Sequence, residues 1–122
     1  MIEIKSWRQV SLDTKIYYTM YVEYGDDIYE GNICETKVKK IVLRPPDCMG
    51  VVGISIEFVD GFGIIEENFE VDSDIIRHGG MLYSYNRETI VQKAIEICNN
   101  GIDRLSKDIS NYKETIENLK NT

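Results

Sequence analysis

Residues 91–119 read VQKAIEICNNGIDRLSKDISNYKETIENL, and the fold turns on how this stretch is understood. Val91, Ile95, Cys98, Ile102, Leu105, Ile109, Tyr112, Ile116 and Leu119 stand alternately four and three residues apart. That rhythm marks a helix with a narrow apolar seam, a surface that ordinarily meets another helix. Written as heptads, position a is always isoleucine (Ile95, Ile102, Ile109, Ile116), and position d holds Val91, Cys98, Leu105, Tyr112 and Leu119. β-Branched residues at a with leucine-like residues at d favour two parallel strands. The helix is predicted to begin near Arg87, where Ser84 or Asn86 can accept from its first free amides and Glu88 places an anion at the positive end of its dipole. Unbroken to Asn121 it would have ~35 residues and run on the order of 50 Å, longer than a domain of this size is wide. At least the distal half must therefore project or find a partner.

The character of the helix changes along its length. As far as Cys98 the apolar face is broadened by Ile90, Ala94 and Ile97, whereas from Ile102 onward only positions a and d are apolar. Docking on a sheet is expected over 87–98, and coiled-coil behaviour over 102–120. Asn99-Asn100-Gly101 lies at the junction. Glycine inside a helix costs about 1 kcal/mol relative to alanine, so a helix end here is the competing reading. The unbroken heptad phase across the junction favours one continuous helix.

Ahead of the helix the pattern is that of short strands. Residues 15–24 (KIYYTMYVEY) alternate, with Ile16, Tyr18, Met20 and Val22 on one face and Tyr17, Thr19, Tyr21 and Glu23 on the other. Gly25-Asp26-Asp27 reads as a turn. The stretch 28–43 is too long for one regular strand, and Gly31 is taken as a bend dividing it into strands at 28–34 and 37–43. Pro45-Pro46 demands a loop, and 51–59 with 62–71 form a hairpin about Asp60-Gly61. Asp72-Ser73-Asp74 reads as a turn or a cap, Arg77-His78-Gly79-Gly80 as a break, and 81–84 as a final short strand. The fold class that follows is α+β: a small, strongly bent antiparallel sheet or SH3-like barrel of five to six strands, followed by a long C-terminal amphipathic, coiled-coil helix. Residues 1–86 form an acidic β domain and 87–122 the helix.

Composition fits one domain with an extension: 122 residues, 43% hydrophobic and 29% charged. There is no apolar run of the ~18 residues that would span a bilayer, and residues 1–13 lack a signal peptide's apolar stretch, so a soluble cytoplasmic protein is expected. Cys34, Cys48 and Cys98 are odd in number with no close pairing, which predicts free thiols, Cys98 serving as a small buried hydrophobe on the seam. The net charge of −7 is uneven: residues 1–86 carry 8 Lys+Arg against 15 Asp+Glu, and residues 87–122 carry 6 against 6. Glu57, Asp60, Glu66, Glu67, Glu70, Asp72 and Asp74 form an acidic run without a base. Such a run repels phosphates and suits a basic protein partner, or else it is simply a solvated face.

Chemistry is thinly supplied. His78, flanked by Arg77 and two glycines, reads as an exposed turn residue, and no nucleophile has a visible base, so an enzyme is not expected. Asp72 and Asp74 with Glu70, or Asp26-Asp27, offer oxygen ligands but match no full calcium loop. No metal and no cofactor are expected. Lys37, Lys39, Lys40 and Arg44 near several tyrosines are the weak case for nucleic-acid binding.

Through IYEGNI, KVKKIVL, GISIEFVDG and MLYSYNRETIVQKAIEIC, roughly residues 28–98, the chain resembles the small proteins of phages and mobile elements in low-GC bacteria, whose strands end in a turn, a polar cap and an amphipathic helix. Eighteen isoleucines against a single alanine agree with an AT-rich source. The resemblance carries over no functional residue. The leading expectation is a non-enzymatic protein–protein interaction module that forms a homodimer through its C-terminal helix and presents an acidic β domain to a protein partner, without membrane or direct nucleic-acid binding. The alternatives are a phage-encoded inhibitor of a host defence nuclease, an anti-CRISPR-like acidic mimic of nucleic acid acting in the host cytoplasm, and a small β-barrel nucleic-acid binder.

Overall fold

A computed structural model of the chain describes residues 4, 7–22, 25–45, 48, 53–60, 64–68 and 74–122. A 3-10 turn at Trp7–Gln9 precedes the strands β1 (Lys15–Val22), β2 (Asp27–Ile28), β3 (Cys34–Arg44), β4 (Gly53–Phe58), β5 (Ile64–Asn68), β6 (Ile75–His78) and β7 (Met81–Ser84), and the chain ends in one helix, α1 (Arg87–Lys120). The strands follow the order β5-β4-β3-β1-β7-β6, with β2 paired to the end of β1. Every pairing is antiparallel, and the sheet curls strongly into a half-barrel.

The curl creates two apolar faces from the alternation of β1. Ile16 points inward with Val38, Ile56, Phe58, Ile76 and Tyr83, under a cover of Trp7 and Val10, and Tyr18 packs at the margin of this cluster. Phe58 stacks on Tyr83 with ring centroids 5.2 Å apart, and Trp7 meets Tyr85 edge-on at 5.5 Å. On the opposite face Tyr21 and Leu82, flanked by Tyr17, Ile28, Ile33 and Ile75, receive Ile90 and Ile97 of α1. The middle of β1 is therefore covered from both sides. Met20 and Val22, alternating with the buried positions, end up exposed beyond the covered part.

The expected division of residues 28–43 is corrected. Only Asp27–Ile28 remains as a strand before Gly31, and Cys34–Arg44 is one long strand. Glu30 (φ 61°) and Gly31 (φ 75°) form the reversal between them, in the left-handed region that glycine adopts at no steric cost. The length of β3 is accommodated by a bulge. Its pairing with β4 shifts between Val38↔Phe58 and Lys40↔Glu57, so Lys39 and Lys40 are both exposed while Val38 and Ile41 return to the core.

The expected break at Arg77-His78-Gly79-Gly80 is also corrected. Gly79 and Gly80, both at positive φ (57° and 76°), make a two-residue turn that joins β6 to β7 with His78 opposite Met81. His78 is thus a half-buried strand residue and not an exposed turn residue. The predicted hairpin is present as β4 and β5, with Glu57 opposite Ile64. The remaining parts of its two segments lie outside the described residues, as do Asp72 and Ser73 of the expected turn.

The helix starts where the sequence places it. Asn86 is the N-cap, accepting from the amides of Glu88 (3.0 Å) and Thr89 (3.4 Å), and the Ser84 hydroxyl accepts from the Asn86 amide at 3.1 Å. It runs through Gly101 without interruption. No helix among the described residues is long and apolar enough to cross a membrane.

Candidate functional site

Two stripes run side by side along α1. Ile90, Ala94, Ile97 and Gly101 are its buried residues, spaced so that they stack in one line against β1, β2 and β7. Each helical residue turns by about 100°, so Ile95, Cys98 and Ile102, one position further along, lie roughly a quarter turn away from that line. Docking on the sheet therefore leaves the seam uncovered: Ile95, Ile102, Leu105, Ile109, Tyr112, Ile116 and Leu119 are 49–71% exposed, and Val91 alone is half-buried. Cys98 is a free, exposed thiol rather than the buried hydrophobe expected from its place in the pattern. The expectation that docking ends at Cys98 is corrected in the same way, because the docked line continues to Gly101 while the exposed seam already begins at Ile95.

The point of departure is fixed by the turn between β1 and β2. Arg104 Nη2 donates to the Gly25 carbonyl at 2.7 Å and lies 3.9 Å from Asp27 Oδ1. That turn is itself held: the Tyr21 hydroxyl donates to Asp26 and accepts from Arg77 Nη1 at 3.4 Å, and the Arg77 guanidinium sits 5.2 Å from the Tyr21 ring centroid. From Ile102 onward every residue is exposed. The free length from Leu105 to Lys120 is ~24 Å. Leu105, Ile109, Tyr112, Ile116 and Leu119 stand exposed along this length. Beside it, Asp108 at position g and Lys113 at position e take part in no ion pair with any described residue, whereas Lys93–Glu96 (3.5 Å) and Lys120–Glu117 (3.9 Å) pair along the helix.

The acidic set is more dispersed. Glu57 pairs with Lys39 at 3.6 Å, Asp60 accepts from the Tyr18 hydroxyl at 3.4 Å, and Asp74 accepts from the Tyr85 hydroxyl through its carboxylate and from Trp7 Nε1 (3.1 Å) through its carbonyl. These three carboxylates thus have duties inside the fold. Burial first, then the neighbouring Asp60 carboxylate, pushes the Tyr18 phenol up to about 12, and burial with the Asp74 hydrogen bond raises Tyr85 further. Glu66 and Glu67 are placed on β5 by their backbone, opposite Ser55 and Ile54; their side chains, and Glu70 and Asp72 altogether, lie outside the described residues. Among the basic residues of β3, Lys39 pairs with Glu57, while Lys15 of β1, which stands opposite Lys37, pairs with Glu35 of β3 at 3.3 Å. Asp26 and Asp27 are engaged by Tyr21 and Arg104.

No family model, no curated protein and no solved structure matches this chain. Its functional reading therefore rests on the surface itself. The seam was legible from its period. The separate docking line was equally present in the spacing of Ile90, Ala94, Ile97 and Gly101, while the Arg104 clasp joins residues 79 positions apart and leaves no local signal.

Proposed function

We propose that this chain is a non-enzymatic interaction module that self-associates through α1 and presents its acidic β domain to a basic protein partner. The observation that carries the reading is the seam from Ile95 to Leu119, exposed on the single chain while the adjacent line of the same helix is buried. Isoleucine at every a position with Leu105, Tyr112 and Leu119 at d is the pattern that another helix of the same kind covers. Covering a half-exposed isoleucine or leucine contributes about 1 kcal/mol, and the seam offers seven large residues per copy. The excess of acid ahead of the helix, 15 Asp+Glu against 8 Lys+Arg, gives the displayed domain its preference for cationic surfaces.

The test is sedimentation of the full chain at tens of micromolar, beside Ile102→Asp/Ile109→Asp. Both residues are exposed on the single chain, so the variant keeps its fold. A dimer that the two aspartates convert to a monomer supports the reading. A monomer in the unaltered chain overturns it.

A further inference from the structure

We infer that the two copies lie parallel and in register, with both β domains at one end, and that Asp108 and Lys113 set this orientation. The inference rests on the self-association proposed above and specifies its geometry. In a parallel pair, position g of one helix faces position e of the next heptad on the other. Asp108 of each copy then meets Lys113 of the other, once on each flank of the seam, and these are the two flanking charges that pair with no described residue of their own chain. Of the other g residues, Ala94 and Gly101 are already docked on the sheet, and Thr115, the neighbour of Lys120, brings no like charge to it.

The antiparallel alternative fares worse on charge. Full overlap of the seams sets Ile95 level with Leu119 of the other copy and Ile102 level with Tyr112, which brings Asp108 against Asp108 at the midpoint. Like charges there repel, where the parallel pair has two attractions. The parallel pair keeps the β domains beside each other and leaves the tails free to wind together.

Cys98 reports the difference. It occupies a d layer and is exposed, so in the parallel pair it faces Cys98 of the other copy. In the antiparallel pair it is level with Ile116, which separates the two thiols by ~27 Å along the axis. A disulfide needs Cα atoms about 4.4–6.8 Å apart.

The experiment uses the full chain carrying Cys34→Ser and Cys48→Ser, both exposed positions, so that Cys98 is the sole thiol. Diamide oxidises two thiols to one disulfide and is itself reduced to the hydrazine, taking up both hydrogens. The expected result is a covalent dimer on a non-reducing gel, absent when Ile102→Asp/Ile109→Asp is added. Asp108→Asn is expected to weaken the dimer about two- to fivefold, because two partly exposed charge pairs are lost, and Asp108→Lys with Lys113→Asp to restore it. A dimer in sedimentation that gives no Cys98 cross-link, or that Asp108→Asn tightens, overturns the parallel arrangement and leaves self-association standing. A monomer in sedimentation removes both.

Discussion

Thr19 and Thr36 bury hydroxyls that have no hydrogen-bond partner among the described residues, one opposite Leu82 beneath the helix and the other opposite Ile16 in the half-barrel. An unsatisfied hydroxyl in an apolar setting loses its bond to water and gains nothing in return. Valine has nearly the same shape and the same preference for a strand. Thr19→Val is therefore expected to stabilise the fold by about 1 kcal/mol, seen as a higher urea midpoint with an unchanged slope. The tyrosines supply a second expectation at this scale. Tyr18 ionises only near 12 in the folded protein, against about 10 in an unfolded chain, and Tyr83 and Tyr85 are raised in the same sense. A group whose folded pKa lies above its unfolded value contributes stability that is complete below the unfolded pKa and lost as pH rises through the folded one. Stability is thus expected to fall between pH ~10 and ~12. Phenolate absorbance should show part of the eight tyrosines titrating late when folded, and all of them near 10 in urea; a single transition near 10 in the folded protein would count against it.

The elements that announce themselves locally were the readable ones. α1 follows from period and cap, and β1 and β4 follow from alternation bounded by turn residues. Gly79-Gly80, by contrast, is the same dipeptide whether it ends an element or closes a two-residue hairpin, and only the partner strand decides. The bulge in β3 hides in the same way, since Lys39-Lys40 beside Val38 looks like a lapse in alternation until β4 is alongside. Gly101 illustrates a position where element and surroundings pull in different directions. As a helix residue it is poor, yet it is buried beside the β1–β2 turn, and a Cβ there would stand 3.5 Å from Asp27 Oδ1 and 3.7 Å from Arg104 Nη2, ordinary contact distances. Nothing in its backbone requires glycine, so the helix term governs. Gly101→Ala is expected to raise the thermal midpoint, with a gain of up to about 1 kcal/mol. Loss of stability instead would mean that the helix needs closer approach to the turn than these distances allow. At the other end, Asn86→Ala removes the acceptor for two amides and is expected to cost about 1 kcal/mol.

The molecule as a whole is a curled sheet with cores on both faces and a helix that belongs to it only over its first half. This division was visible in the sequence as a change in the width of the apolar face, but its location was not. The last tether, Arg104 to Gly25 and Asp27, depends on where the β1–β2 turn comes to rest under the helix. A chain ending at Leu105 keeps the buried line Ile90, Ala94, Ile97 and Gly101 together with the Arg104 clasp, and it discards Ile109, Tyr112, Ile116 and Leu119 of the seam. If stability resides in the head and association in the tail, that shortened chain folds as a monomer whose melting does not depend on concentration. The full chain should melt at a temperature that rises with concentration, because association draws on the folded state alone. Ending the chain at Asn99 removes Gly101 and Arg104 as well, and is expected to lower stability by a further ~1 kcal/mol through loss of the clasp. Equal melting of all three chains at every concentration would show that the tail neither pairs nor supports the head, whereas failure of the chain ending at Leu105 to fold would show that the head depends on the tail for its stability.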